Sequence, residues 1–181
     1  MRIIAGQWRG RTLAAPAGNR TRPTSDRARE GLFSMLASRL GSFEGLAVAD
    51  LFAGSGALGL EALSRGAAHC IFIDNDREAI AALKRNVAAL DAEARTEIRQ
   101  QPAESAPPAD RPFDLVFLDP PYGLGLAEQA LAHLANARWL TAGALVSVET
   151  GERLAAIPET LAVETERRFG KARLHLLRAR F

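Results

Sequence analysis

The stretch Asp50-Leu51-Phe52-Ala53-Gly54-Ser55-Gly56-Ala57-Leu58-Gly59 sets the architecture. It leaves a short apolar run at 48–52 and opens a helical segment that reaches about residue 65. Gly54, Gly56 and Gly59 satisfy the pattern G-x-G-x-x-G, and Asp74 closes the next apolar run, at 70–74. Such glycines let a ligand approach the backbone, and an acid after the second strand can bind a ribose diol. Both features serve any adenosine-containing cofactor. They do not separate a nicotinamide dinucleotide from S-adenosylmethionine.

Working outward, strands and helices alternate. Residues 25–40 carry Ala28, Leu32, Met35, Leu36 and Leu40 at helical spacing, closed by Gly41. Residues 77–90 predict a helix with Ile80, Leu83, Val87 and Leu90 on one face, and Asp76 as its cap. Residues 96–100 read as a weaker strand and 113–119 as a strong one, apolar enough to be buried on both faces. A helix at 124–134 and a strand at 144–149 follow. Residues 161–169 and 172–181 flank Gly170-Lys171 as a β-hairpin. The sum is an α/β, Rossmann-like fold: a mostly parallel seven-stranded sheet with helices on both faces and a C-terminal antiparallel hairpin. Ligands of such sheets lie beyond the carboxyl ends of the strands. Asp50, Asp74 and Asp119 all fall there.

Two features separate the cofactor classes. A carboxylate at Asp50, just before the glycine loop, would repel a pyrophosphate but suits the ammonium of a methionine moiety. The competing reading of Asp50 is a carboxylate that caps the turn. The second feature is Asp119-Pro120-Pro121-Tyr122 at the end of the 113–119 strand. An aromatic exocyclic amine is a poor nucleophile because its lone pair is delocalised, so the protein must mainly orient it. Asp119 can accept one N–H and favour the nitrogen as positive charge grows on it. The Pro120 carbonyl, fixed by two consecutive prolines, would help, and Tyr122 would stack on an extruded base. The expected reaction is methylation of a base amine with S-adenosylmethionine. Candidate cofactor contacts are Asp50, Phe52, Ala53, Gly54, Ser55, Gly56 and Asp74, with Gln101 (or Glu104) at the adenine edge. Phe52 also reads as core.

Composition bounds the rest. The chain has 181 residues, 48% of them hydrophobic, which fits one domain with a substantial core. One cysteine, Cys70, sits in an apolar run and reads as an inert buried thiol in a reducing compartment. No apolar stretch is long enough to cross a membrane, so a cytoplasmic protein is expected. His69, His133 and His175 have no neighbouring ligands in sequence, and no metal site is expected. The net charge of +2 is uneven: the first thirty residues hold seven arginines against Asp26 and Glu30. Residues 1–23 therefore read as a basic arm, with Arg9, Arg11 and Arg22 as candidate phosphate contacts and Trp8 as a base stacker or an anchor.

Over essentially its full length the chain resembles the bacterial 16S rRNA guanine-N2 methyltransferases of the RsmD type. Carrying the resemblance are Arg2-Ile3-Ile4-Ala5-Gly6-x-Trp8-Arg9-Gly10-Arg11-x-Leu13 and Arg22-Pro23-Thr24-x-Asp26-x-x-Arg29-Glu30-x-Leu32-Phe33. Asp50 to Glu61 and Asp119 to Tyr122 match the cofactor and catalytic motifs. Gln101 departs from the family's more usual Asp or Asn. The resemblance implies N2 methylation of one guanine of 16S rRNA, position 966 in the usual numbering. Because an arm of about thirty residues offers little surface for reading bases, an assembled small ribosomal subunit is the expected substrate, and a monomer is expected. The residues alone leave adenine N6, cytosine N4 and guanine N2 open, and do not separate RNA from DNA. A DNA adenine-N6 methyltransferase and a non-catalytic, S-adenosylmethionine-binding ribosome assembly factor remain alternatives.

Overall fold

The computed structural model describes residues 1–17, 26–107, 110–136 and 138–181. Arg22, with Pro23, Thr24 and the start of the expected first helix at Ser25, lies outside the described residues. Helix α1 (Asp26–Leu40) precedes the alternating core: β1 (Ala47–Leu51), α2 (Ala57–Ser64), β2 (His69–Asp74), α3 (Arg77–Ala89) and β3 (Thr96–Gln100). Then come β4 (Phe113–Leu118), α4 (Leu126–Asn136), β5 (Leu140–Thr150) and the hairpin β6 (Leu161–Phe169) and β7 (Ala172–Ala179). The seven strands form one sheet in the order β3-β2-β1-β4-β5-β7-β6. β1 to β5 pair in parallel, and β7 runs antiparallel between β5 and β6.

The alternation of side chains along each strand divides the core in two. Leu32, Phe33 and Leu36 of α1, Leu60 and Leu63 of α2, and Ile80, Leu83 and Val87 of α3 cover one face, over Val48, Phe72, Leu115 and Phe117. Ala127, Ala130, Leu131 and Leu134 of α4 cover the other, with Trp139, over Leu51, Ile71, Val116 and Val146. Cys70 is fully buried between β1 and the first layer. Asp76 caps α3 as expected, its Oδ1 accepting from the backbone N–H of Glu78 (2.7 Å) and Ala79 (3.3 Å).

Boundaries differ from the sequence reading where backbone geometry intervenes. α4 starts at Leu126 rather than 124, because Gly123 and Gly125 hold positive φ of 78° and 66°. β5 begins at Leu140, four residues early, with an irregularity in its pairing to β4 between Phe113 and Leu115. The chain order reverses between β1 and β4, so the crevice for a ligand opens beyond their carboxyl ends. Asp50 and Asp119 lie on either side of it.

Candidate active site

Beyond β1 the backbone turns sharply, with positive φ at Phe52 (61°), Gly54 (56°) and Gly56 (81°). Gly56 and Gly59 are glycines for packing: a Cβ would lie 2.3 Å from Leu83 Cδ1 or 2.4 Å from Phe72 Cε1. At Gly54 a Cβ would meet nothing within 4 Å, so that side of the loop is open to a ligand. Two carboxylates brace the turn. Asp74 accepts from the N–H of Gly54 and of Asp76, both at 2.8 Å. Asp50, buried to 1% exposure, accepts from the N–H of Gly59 at 2.9 Å. That bond supplies the cap α2 otherwise lacks, since its N-cap residue is Gly56. Ala53 and Ser55 are buried within the loop, and Phe52 packs partly against the second core layer.

Asp119 follows β4 and is half-buried, Pro120 is buried and Pro121 exposed. The Tyr122 hydroxyl donates to Glu149 Oε1 at 2.7 Å. Its ring lies against Gly151, where a Cβ would come within 2.9 Å of Tyr122 Cδ2. Because Leu118 pairs with Val148, the residues that follow each of them, Asp119 just past β4 and Glu149 still within β5, stand at the same level.

A row of acids therefore crosses four neighbouring strand ends: Asp74 on β2, Asp50 on β1, Asp119 after β4 and Glu149 on β5. Burial pushes Asp50 up to about 8, opposed by the Gly59 bond and reinforced by the charge of Asp74. Burial also raises Asp119 well above the carboxylate range, with further upward pushes from Glu149 and Asp50. Asp74 is raised by burial, against its bonds to Asp76 and Gly54. Desolvated acids that repel one another hold protons, and a cation brought among them would release those protons. Asp50 and Asp119 therefore favour a cationic ligand over a pyrophosphate. Among the described residues no group of three His, Cys, Asp or Glu side chains could hold a metal ion.

Gln101 follows β3, its N–H bonded to the Asp74 carbonyl at 3.0 Å. Its side-chain nitrogen is buried and has no partner, a state that costs about 1–3 kcal/mol unless a ligand relieves it.

The N-terminal segment is clamped to the cofactor-side helices. Arg2 bridges to Thr12, and Ile3 and Leu13 are buried. Fully buried Glu61 accepts from the N–H of Ile4 (2.8 Å) and Ala5 (3.0 Å) and pairs with Arg65 (2.9 Å). Trp8 packs on the core and lies 4.9 Å from the Arg95 guanidinium, so it anchors the segment. Asn86 accepts from the Ala14 N–H (2.7 Å) and donates to the carbonyls of Ala14 and Ser55 (both 2.9 Å). The segment is thereby tied to the glycine loop itself. Arg9 and Arg11 are exposed on it, and Arg11 donates to the Ala89 carbonyl.

The structure thus brings Asp50, Gly54, Asp74, Asp119 and Tyr122 to neighbouring strand ends, while Arg9 and Arg11 lie on the clamped segment. A sequence profile described as Conserved hypothetical protein 95 matches residues 1–178. The chain belongs to this family. A relative named Ribosomal RNA small subunit methyltransferase D, from Escherichia coli strain K12, is 39% identical over 97% of this chain and 88% of its own. Its namesake from Haemophilus influenzae is 44% identical over 83% of this chain and 78% of its own. The solved structure named "Putative methyltransferase yhhF", from Escherichia coli, superposes with a TM-score of 0.89 at 39% identity, covering 99% of this chain and 98% of its own.

For this family member, sequence reasoning passed over Glu149, Glu61 and Asn86. Glu149 was findable, since it ends a strand as Asp50, Asp74 and Asp119 do. Glu61 and Asn86 were not, because their partners are backbone groups more than fifty residues away for Glu61 and about seventy for one of Asn86's.

Proposed function

We propose that the chain is an S-adenosylmethionine-dependent methyltransferase acting on the N2 amine of a guanine in small-subunit 16S rRNA. The observation that carries this reading is Asp119-Pro120-Pro121-Tyr122 set beside the glycine loop at the reversal of strand order, within the row of acids. The residues present fit the cofactor. Gly54 leaves the loop face open, Gln101 offers an unpaired buried amide for the adenine, and Asp74 is placed for the ribose. Asp50 is the carboxylate for the ammonium. Phe52, Ala53, Ser55 and Gly56 form the wall between them.

The cofactor supplies an electrophilic methyl group on a sulfonium. The chain's own residues do the rest. Tyr122 presents a ring face for the extruded base. Asp119 and the Pro120 carbonyl accept the two amine hydrogens, which aims the nitrogen lone pair at the methyl group and stabilises positive charge as it develops there; the proton that the methylated nitrogen loses passes to Asp119. Asp119 accepts best when ionised, so its raised proton affinity makes activity rise with pH.

The names of the relatives support rRNA as the substrate; the RsmD-type resemblance supports guanine N2 and position 966. Residues 1–181 form one methyltransferase domain in this reading, with residues 1–23 as its basic arm and Arg9, Arg11 and Arg22 on the RNA backbone. The protein works as a cytoplasmic monomer without metal. Transfer of labelled methyl to isolated small subunits, against duplex DNA, tests it. Label on the subunits that is lost in Asp119→Ala supports the reading; label on DNA overturns it.

A further inference from the structure

We infer that Glu149 selects the target base, by accepting the N1–H of guanine beside the amine that Asp119 holds. The inference rests on the proposed methylation of a guanine amine.

Three observations converge on Glu149. It stands at the carboxyl end of β5, level with Asp119 across the β4–β5 pairing. Its carboxylate is near enough to Asp119 to be a leading electrostatic influence on it, second only to burial. Its Oε1 accepts the hydroxyl of Tyr122, the ring assigned to the base, at 2.7 Å. The carboxylate is therefore held where the edge of a base stacked on Tyr122 would present the atom next to its amine.

That neighbouring atom differs among the amine-bearing bases. Beside N2 of guanine lies N1–H, a donor. Beside N6 of adenine lies N1, and beside N4 of cytosine N3, both bare acceptors. A carboxylate offers about four acceptor sites, so Glu149 can take a base N–H in addition to the partners it already has. It accepts from guanine and repels the other two bases. A site built to pair with one hydrogen-bonding group rejects the analogue lacking it far more strongly than a site that merely lacks a contact. The tetrapeptide orients any exocyclic amine; Glu149 supplies the choice that the tetrapeptide leaves open. The Tyr122 hydroxyl then acts as a positioning group for Glu149, not only as part of a stacking ring.

The test uses 2-aminopurine, which keeps the 2-amino group but carries a bare N1. Small subunits are reconstituted with rRNA holding guanine or 2-aminopurine at the methylated position, and kcat/KM is compared. Wild-type protein should prefer guanine by about 100-fold or more. In E149Q, whose amide can donate to a bare N1, that preference should narrow by at least about tenfold. Calorimetric binding of S-adenosylhomocysteine verifies the fold. Should E149Q fail to fold, E149D keeps the charge one methylene further back, and the same ratio is read. An unchanged ratio in the folded variant overturns the inference, as does wild-type protein that uses both bases equally. Wild-type protein that methylates no guanine at all overturns the underlying reaction instead, and nucleoside analysis of the wild-type product shows which has failed.

Discussion

If Asp50 takes the cofactor's ammonium as proposed, binding should be coupled to proton release. Its carboxyl is buried to 1% exposure and raised to about 8, so at pH 7 about nine-tenths of the unliganded protein holds that proton. An ammonium placed beside it reverses the preference, and binding should expel close to one proton. Below pH 8 the affinity for S-adenosylhomocysteine should therefore rise about tenfold per pH unit, then level off. Calorimetry in phosphate and in Tris, buffers of very different ionisation enthalpy, reads the proton count directly. Asp50→Asn keeps an oxygen for the Gly59 N–H and removes the titration. It should abolish the proton release, weaken binding strongly at pH 8 and differ little from wild type at pH 6. 5′-Methylthioadenosine, which lacks the ammonium, should bind without release. The same raised group has a consequence for the unliganded fold. The native state keeps a proton that the unfolded chain loses at its ordinary value of 3.8. Stability should thus fall as pH rises from about 4 to 8, by at most about 1.4 kcal/mol per pH unit for this group. Equal enthalpies in the two buffers, or undiminished release in Asp50→Asn, would refute the assignment of Asp50 to the ammonium.

Asp119→Ala should lower turnover by about 10²–10⁴-fold with S-adenosylhomocysteine affinity little changed; turnover within a few-fold of wild type removes Asp119 from the chemistry. Glu61→Ala strands two backbone N–H groups and Arg65, and should cost about 3–5 kcal/mol in denaturant unfolding. A loss under about 1 kcal/mol would mean that the N-terminal clamp is dispensable. Neutralising Arg9, Arg11 and Arg22 together should spare cofactor binding but reduce the slope of log RNA affinity against log salt by about 0.7–0.9 per lost contact. An unchanged slope places the RNA surface elsewhere.

Much of this was legible before any coordinates. Strands β2 and β4 fall within one residue of the apolar runs that marked them, and the acids at strand ends fall where the alternation put them. Periodicity works here because the sheet is covered on both faces, so strands read as unbroken apolar runs and helices as apolar stripes. What escaped was tertiary. The 140–143 extension of β5 contains Gly143 at positive φ and no apolar run, so only the pairing of Leu140 with Phe113 of β4, and the Gly143 N–H bonded to the Phe181 carbonyl at 2.9 Å, make it a strand. The N-terminal segment read as a basic arm because its charge is local, whereas its anchors lie on α2 and α3: Glu61, Asn86, and Ser64, whose hydroxyl accepts from the Trp8 N–H at 3.0 Å and donates to the Ala5 carbonyl at 2.6 Å. Asp50 showed the reverse ambiguity. Turn cap and ligand carboxylate were alternatives in the sequence, and the structure shows Asp50 accepting from the Gly59 N–H as a cap. Tyr122 was read for its ring alone, and its hydroxyl has a partner that no spacing rule announces.

The central claim is tested most directly by mass spectrometry of nucleosides from small-subunit rRNA after incubation with S-adenosylmethionine carrying a labelled methyl group. The account expects the label in N2-methylguanosine, at one position. Label in a methylated adenine or cytosine, or no transfer by protein that still binds S-adenosylhomocysteine, would contradict it.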